Sequence, residues 1–298
     1  MSRTAKSLRA FLDAALSAAL VEVTEAKGST PREKGAWMLV TPERIFGTIG
    51  GGQLEFMAID TARAMLAGNS KRSAVMEHVT GDPIPARCLE PLHDGDKGVT
   101  LDIPLGPEIG QCCGGRVEIA VRHVDEALAA DLVSSAEVSD AALPHVYVFG
   151  GGHVGHALAS AFALLPLNVV VVETRADALE GMPEEIDTRL TPVPEEMVRE
   201  APVGSAFVVL THDHALDFLI VAEALKRRDA GYVGMIGSKT KKATFRSWFL
   251  KTAGGSEEQI ARLVCPIGGD AVKDKRPAVI AALAAAEIMT ALVKHSAA

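Results

Sequence analysis

Gly150-Gly151-Gly152-His153-Val154-Gly155 carries the most recognisable chemistry in this chain. It follows an apolar run, His145-Val146-Tyr147-Val148-Phe149, and leads into residues 157–162, whose spacing predicts a helix. A helix start presents backbone N–H groups that lack intrahelical acceptors, and glycine lets a phosphate reach them. Strand, G-x-G-x-x-G, helix is the setting in which this motif marks a nucleotide site. Val169-Val170-Val171-Val172 predicts the next strand, ending at Glu173, where an acid that hydrogen-bonds a ribose is expected. Three other turns share this logic. Gly28-Ser29-Thr30-Pro31-Arg32 offers hydroxyls, a stiff proline and a guanidinium; Gly50-Gly51-Gly52 runs into the helix bearing Glu55; Gly237-Ser238-Lys239 follows the strand at 232–236. One helix terminus stabilises an exposed anion by only about 0.3–1 kcal/mol, whereas micromolar binding needs roughly 8 kcal/mol. Several such elements must therefore converge, with Arg32, Lys239 or Lys241 adding charge. Any single glycine turn is more often a tight connection than a ligand site. The strand–helix setting of 150–155 reverses that balance.

Cys112-Cys113-Gly114-Gly115 is the second distinctive element. Adjacent thiolates are soft donors suited to a transition metal or to persulfide chemistry. Two small buried hydrophobes ahead of a strand at Arg116 would look the same. No C-x-x-C spacing exists, and Cys88 and Cys265 are remote, so structural zinc is weakly supported. Thr211-His212-Asp213-His214, with Asp217 beyond, stands at the carboxyl end of a predicted parallel strand, where open α/β sheets bind ligands. These groups could hold a metal or move protons, or Thr211 or Asp213 could simply cap the next helix. Lys273, Lys275 and Arg276 before Pro277 make either an anion contact or a solvated basic face.

The elements that must position these residues fall into two groups. An N-terminal α+β domain is expected over residues 1–124, with a helix at 7–20, strands at 21–24, 37–40 and 44–49, and a helix at 53–66 ending near Gly68-Asn69. Further strands are expected at 73–79, 99–103 and 116–124. Residues 125–144 read as a linker. From 145 to 298, strands at 145–149, 168–173, 205–211 and 231–236 alternate with helices at 153–165, 213–228 and 238–252, predicting a Rossmann-like parallel sheet. The 298 residues suffice for two cores, and a net charge of −8 argues against a sequence-independent nucleic-acid partner. Four cysteines, two of them adjacent, do not form a disulfide framework. The N-terminus lacks a secretory apolar core, and residues 277–293, which carry Glu287, are expected to fall short of a membrane span. A cytoplasmic protein without membrane partners is the expectation.

Taken in order, Gly28-Ser29-Thr30-Pro31-Arg32, the stretch 47–55 (GTIGGGQLE), 110–115 (GQCCGG), 150–155, Thr211-His212-Asp213-His214, 232–239 (YVGMIGSK), Pro266-Ile267-Gly268 and Lys275-Arg276-Pro277-Ala278 resemble the XdhC/CoxI family over about residues 10–295. The resemblance implies an N-terminal XdhC/CoxI domain, a C-terminal Rossmann domain and commonly a homodimer. It also implies a molybdenum-cofactor chaperone without independent turnover. Such proteins hold the cofactor while a cysteine desulfurase replaces an oxo ligand with sulfido, then pass it to apo-xanthine dehydrogenase. Carried onto this sequence, it implies that Cys112 or Cys113 lies near the molybdenum. Gly50, Gly51, Gly52 and the turn of Gly150, Gly152 and Gly155 become candidates for the pterin and its phosphate, or for a nucleotide. Arg32, His212, Asp213, Ser238 and Lys239 complete the expected cofactor-binding set. Two other classes compete: an NAD(P)-dependent oxidoreductase using Gly150, Gly152, Gly155 and Glu173, and a metal-dependent hydrolase or sulfurtransferase built on His212, Asp213 and His214.

Overall fold

Two six-stranded sheets of opposite kind organise the chain. The computed structural model describes residues 4–68, 89–91, 98–106 and 114–297; Cys112, Cys113, Cys88, Asn69 and the strand expected over 73–79 lie outside the described residues. The chain divides into two compact units between Val138 and Ser139.

The first unit is an antiparallel sheet in the order β3-β2-β1-β6-β5-β4. Its strands are β1 (Ala19–Lys27), β2 (Trp37–Val40), β3 (Ile45–Gly47), β4 (Leu89–Pro91), β5 (Gly98–Pro104) and β6 (Arg116–His123). Alternation along β1 sends Ala19, Val21 and Val23 to one face and Leu20 to the other. Helix α2 (Gly52–Leu66) covers the first face through Leu54, Met57, Ala58, Ala62 and Met65. On the second face Leu8 and Phe11 of α1 (Ala5–Asp13) pack with Leu20, Leu39 and Phe46. The helix expected over 7–20 ends at Asp13, a correction with a clear cause. Ala19, Leu20 and Val21 pair with both β2 and β6 and are fully enclosed, so strand pairing outcompetes the helical spacing of Ala15, Leu16 and Ala19. The stretch 125–144 contains α3 (Glu126–Ala141), whose Leu128, Leu132, Val133 and Ala136 pack against the α1 face.

The second unit is a parallel sheet in the order β12-β11-β10-β7-β8-β9. Strands β7 (His145–Phe149), β8 (Asn168–Glu173) and β9 (Asp187–Leu190) run outward on one side. Strands β10 (Ala206–Val209), β11 (Tyr232–Met235) and β12 (Leu263–Val264) run outward on the other. The order reverses between β7 and β10, the crevice where doubly wound sheets take ligands. Helices α4 (His153–Phe162) and α9 (Pro277–Ser296) cover one face, while α5 (Pro194–Glu200), α6 (His214–Lys226), α7 (Lys239–Lys251) and α8 (Glu257–Ala261) contribute to the other core. The Rossmann-like architecture is therefore as the alternating pattern predicts. Helix α9 corrects one expectation: its 20 residues are long and apolar enough to cross a membrane by length and composition. Ala281, Ala284, Ala285, Ile288 and Leu292 instead pack into a core with Leu158 and Phe162 of α4. Its Glu287 accepts from the Tyr232 hydroxyl at 2.6 Å and the Gly268 N–H at 3.2 Å. Burial first, then Glu287, pushes the Tyr232 hydroxyl well above its ordinary range.

Candidate functional sites

The turn after β7 is built as a phosphate-approach turn requires. Gly150 adopts φ +119°, and a Cβ there would lie 2.5 Å from the Leu210 carbonyl oxygen, so only glycine lets the β7 and β10 ends meet. A Cβ on Gly155 would lie 2.1 Å from the Gly150 carbonyl, which fixes how closely α4 packs on the turn. Gly152 is different. It is the N-cap of α4 with extended backbone, it makes no side-chain cap, and a Cβ there would meet no atom within 4 Å. Among the described residues nothing crowds that position, so packing does not account for the glycine.

Around this turn lies a cavity of about 260 Å³. Gly150, Gly152, His153 and Val154 contribute the turn, Glu173 and Arg175 the end of β8, Leu210, Thr211 and His212 the end of β10, and Ile236 the end of β11. Glu173 is only 4% exposed. Its Oε1 accepts from the Thr174 N–H at 2.7 Å, the Thr174 hydroxyl at 3.1 Å and the Arg175 N–H at 3.2 Å. Its Oε2 accepts from the Gly151 N–H at 2.9 Å, with the Arg175 guanidinium 3.6 Å away. Burial pushes this carboxyl upward, but the Gly151 and Thr174 hydrogen bonds and Arg175 outweigh it and hold it below the usual carboxylate range.

Of the other residues expected at this edge, His212 lines the cavity while Asp213, Ser238 and Lys239 do not. Asp213 caps α6 by accepting from the Ala215 N–H at 2.7 Å. Ser238 caps α7, and Lys239 pairs with Asp270 at 3.2 Å, both groups well exposed. Lys241, expected to add charge for an anion, is instead committed to the fold. It forms an ion pair with the fully enclosed Asp217 and donates to the Ile236 carbonyl at 3.0 Å. Asp217 in turn accepts from the Thr211 N–H at 2.9 Å and its hydroxyl at 2.7 Å. The Thr211–Asp217 segment is thus a capped, charge-paired turn. Among the described residues no group of three or more His, Cys, Asp and Glu side chains could hold a metal ion. Further along, Arg276 pairs with Asp274 at 2.6 Å. Arg175 was absent from the sequence-based candidates; its position two residues past the β8 acid, at the sheet's carboxyl edge, is the signal that would have found it.

In the first unit, antiparallel registry carries the remaining motifs to one end of the sheet. Lys27 pairs with Arg116, Met38 with Gly47, and Pro104 with Arg116. The β1–β2 connection with Arg32, the Gly50–Gly52 turn and the β5–β6 connection that contains Cys112 and Cys113 therefore all leave the strands at that end. Contacts between described parts are close. A Cβ on Gly115 would lie 2.3 Å from the Ser29 carbonyl, and one on Gly50 would lie 2.5 Å from the Pro31 Cβ. The Leu105 N–H donates to the Gly115 carbonyl at 2.8 Å and the Gly114 N–H to the Leu105 carbonyl at 2.9 Å, closing the base of the β5–β6 connection. Residues 31–37, Arg32 and Lys34 among them, line a cavity of about 530 Å³. The Gly50–Gly52 turn already has an internal anion: Glu55 accepts from the Thr48 hydroxyl, from Ile49 N–H at 2.9 Å and from Gly51 N–H at 3.1 Å. The Gly50 N–H donates to the Thr48 hydroxyl at 3.0 Å.

This fold defines a two-module protein in which a doubly wound, dinucleotide-type unit follows an antiparallel α+β unit. Residues 146–288 match the XdhC Rossmann domain and residues 11–79 match the XdhC and CoxI family. The chain belongs to the XdhC and CoxI family. The uncharacterized protein YqeB of Escherichia coli (strain K12) is 25% identical over 281 residues. That match takes in 91% of this chain but 43% of YqeB, so the chain spans less than half of that relative's length. A crystal structure of a xanthine dehydrogenase from Bacillus halodurans shares the fold, with a TM-score of 0.72 over 97% of this chain and 96% of that one. Identity there is 15%, and the likeness concerns the fold alone.

Proposed function

We propose that this chain is an accessory maturation protein that binds molybdenum cofactor, holds it for sulfuration by a cysteine desulfurase and inserts it into apo-xanthine dehydrogenase. It acts in the cytoplasm, as a homodimer, without turnover of its own. The observation that carries this reading is membership of the XdhC and CoxI family through both modules. A second support is the arrival of the Arg32 loop, the Gly50–Gly52 turn and the cysteine-bearing connection at one end of one sheet.

The residues present suit molybdopterin, a flat heteroaromatic ring with a terminal phosphate and dithiolene sulfurs. Glu55 already uses the Ile49 and Gly51 amides, so the phosphate falls to cationic side chains, for which Arg32 and Lys34 line the neighbouring cavity. The Gly50–Gly52 turn then acts through shape, keeping backbone close to Pro31 and Arg32. Cys112 and Cys113 are soft donors matched to the metal that the bound cofactor supplies. An NAD(P)-dependent oxidoreductase remains the competing reading, favoured by the turn-lined cavity of the Rossmann unit.

The test incubates the protein with purified molybdenum cofactor, removes excess by gel filtration, and measures retained molybdenum and transfer to apo-xanthine dehydrogenase. Retention and transfer are expected, both reduced in a C112A/C113A double variant and in Arg32→Ala. Failure to retain any cofactor overturns the proposal. Substrate-dependent turnover of nicotinamide, read by its absorbance, would instead favour the oxidoreductase.

A further inference from the structure

We infer that strand β9 is the surface on which two copies of this chain meet, paired antiparallel about a two-fold axis at Thr188. This assigns an interface to the homodimer proposed above and rests on that reading.

Strand β9 ends the parallel sheet and, among the described residues, pairs with β8 alone. Along a strand the backbone N–H and C=O groups of successive residues face alternate sides. The Thr191 N–H donates to the Glu173 carbonyl at 2.9 Å, so the backbone groups of Arg189 and Asp187 also face β8. Those of Thr188 and Leu190 face outward. The exposed Arg189 guanidinium marks that outer side by donating to the Thr188 carbonyl at 3.1 Å. Short length and exposed charge are ordinary guards against edge pairing. On β9 the charges are arranged so that one particular partner satisfies them.

That partner is the same strand read backwards. Two-fold pairing centred on Arg189 would set two guanidiniums against each other. Centred on Leu190, it would place Thr188 opposite the partner's Pro192, which has no N–H for the outward carbonyl. Centred on Thr188, every pair is favourable. The two Thr188 residues exchange N–H···O bonds, and Asp187 faces the partner's Arg189 on either side of the axis, in the closer, non-hydrogen-bonded positions. Leu190, 57% exposed, lies opposite the partner's Ile186. Asp187 and Arg189 are both exposed, and among the described residues neither is ion-paired. On pairing, each Arg189 exchanges its own Thr188 carbonyl for the partner's Asp187 and frees that carbonyl for the inter-strand bond. The contact is isologous, so it closes at two copies.

Sedimentation velocity of the full chain over a dilution series tests the inference, with thermal melting to confirm that each variant is folded. The parent is expected to dimerise. Asp187→Arg sets like charges opposite each other twice per dimer, as does Arg189→Asp, and each should raise the dissociation constant about 10-fold or more. The double variant Asp187→Arg/Arg189→Asp restores both pairs in reversed order and should return to within about 3-fold of the parent. Thr188→Cys puts two thiols across the axis with Cα atoms about 5.5 Å apart, and mild oxidation should link them, as mapped by peptide mass spectrometry. A parent that stays monomeric overturns the homodimer reading and this interface together. A dimer that both single reversals leave intact, or a double variant as weak as the singles, overturns the interface alone. So does a Thr188→Cys dimer that forms no such disulfide. Cofactor retention, measured as above, is independent of all these outcomes.

Discussion

Removing the ammonium of Lys241 should unfold the Rossmann unit at markedly lower denaturant, because Asp217 would be left enclosed with its charge unanswered. Asp217 is 0% exposed and the Lys241 side chain 10%. In Lys241→Met the carboxylate keeps the two Thr211 hydrogen bonds but loses its only cation among the described residues. Breaking a buried pair from one side costs about 3–5 kcal/mol, and the retained Thr211 contacts place this case near the lower end, about 3 kcal/mol. With a urea m-value of roughly 2 kcal/mol/M for a unit of this size, the midpoint should fall by about 1.5 M. Trp248 lies in α7 beside Phe218 and Phe245, and the other tryptophan, Trp37, lies in the first unit. Fluorescence in a Trp37→Phe background therefore follows the Rossmann unit alone. Adding Asp217→Asn to Lys241→Met removes the orphaned charge and should recover about 1–2 kcal/mol, a coupling that a double-mutant cycle isolates. A Lys241→Met midpoint within about 0.3 M of the parent, or losses that simply add in the double variant, would refute the assignment of this pair to the fold.

Three further outcomes follow from the same geometry. Gly155→Ala forces a Cβ to within 2.1 Å of the Gly150 carbonyl and should cost about 1–3 kcal/mol by overpacking, measured by the same urea titration; a neutral result would mean that α4 does not need its close approach. Glu173 has a carboxyl held below the usual range, so its stabilising contribution is present above about pH 4.5 and lost as the pH falls through its folded value. Thermal melts from neutral pH to about pH 3 should therefore show a smaller acid loss in Glu173→Gln than in the parent, and equal acid losses would contradict the shift. Glu55→Ala strips the shared acceptor from Ile49, Gly51 and the Thr48 hydroxyl; amide hydrogen exchange at Ile49 and Gly51 should accelerate, with a stability loss of about 1–3 kcal/mol, and unchanged exchange would show that Glu55 does not hold the turn.

The parallel unit was legible in the sequence because its signals are local. Val146-Tyr147-Val148-Phe149, the glycine turn and Val169–Val172 each announce an element within a few residues, and both faces of the sheet are buried, so the strands read as apolar runs. The antiparallel unit was harder. The start of β1 carries alanines and leucines whose spacing also suits a helix, and only pairing with β2 and β6, the latter about 100 residues away, decides the matter. Strand β9 and helices α5 and α8 are short, with little periodicity to read.

The glycine turns show the limit most clearly. Gly50–Gly52 and Gly150–Gly152 look alike in sequence, as helix starts with amides to offer. Both are tied by a carboxylate of the same unit, Glu55 in one and Glu173 in the other. Glu55 lies four residues from Gly51, within the first turn of α2, and takes two turn amides, those of Ile49 and Gly51, on one oxygen, so the turn's anion position is filled from inside the fold. Glu173 reaches across from the next strand, takes a single amide from the turn, and spends its other oxygen on Thr174 and Arg175. That difference leaves the α4 start, at Gly152, without a side-chain cap, while the α2 turn is largely self-satisfied. Glycine content alone cannot separate the two cases, because what distinguishes them is which carboxylate reaches the turn and how many of its amides it consumes.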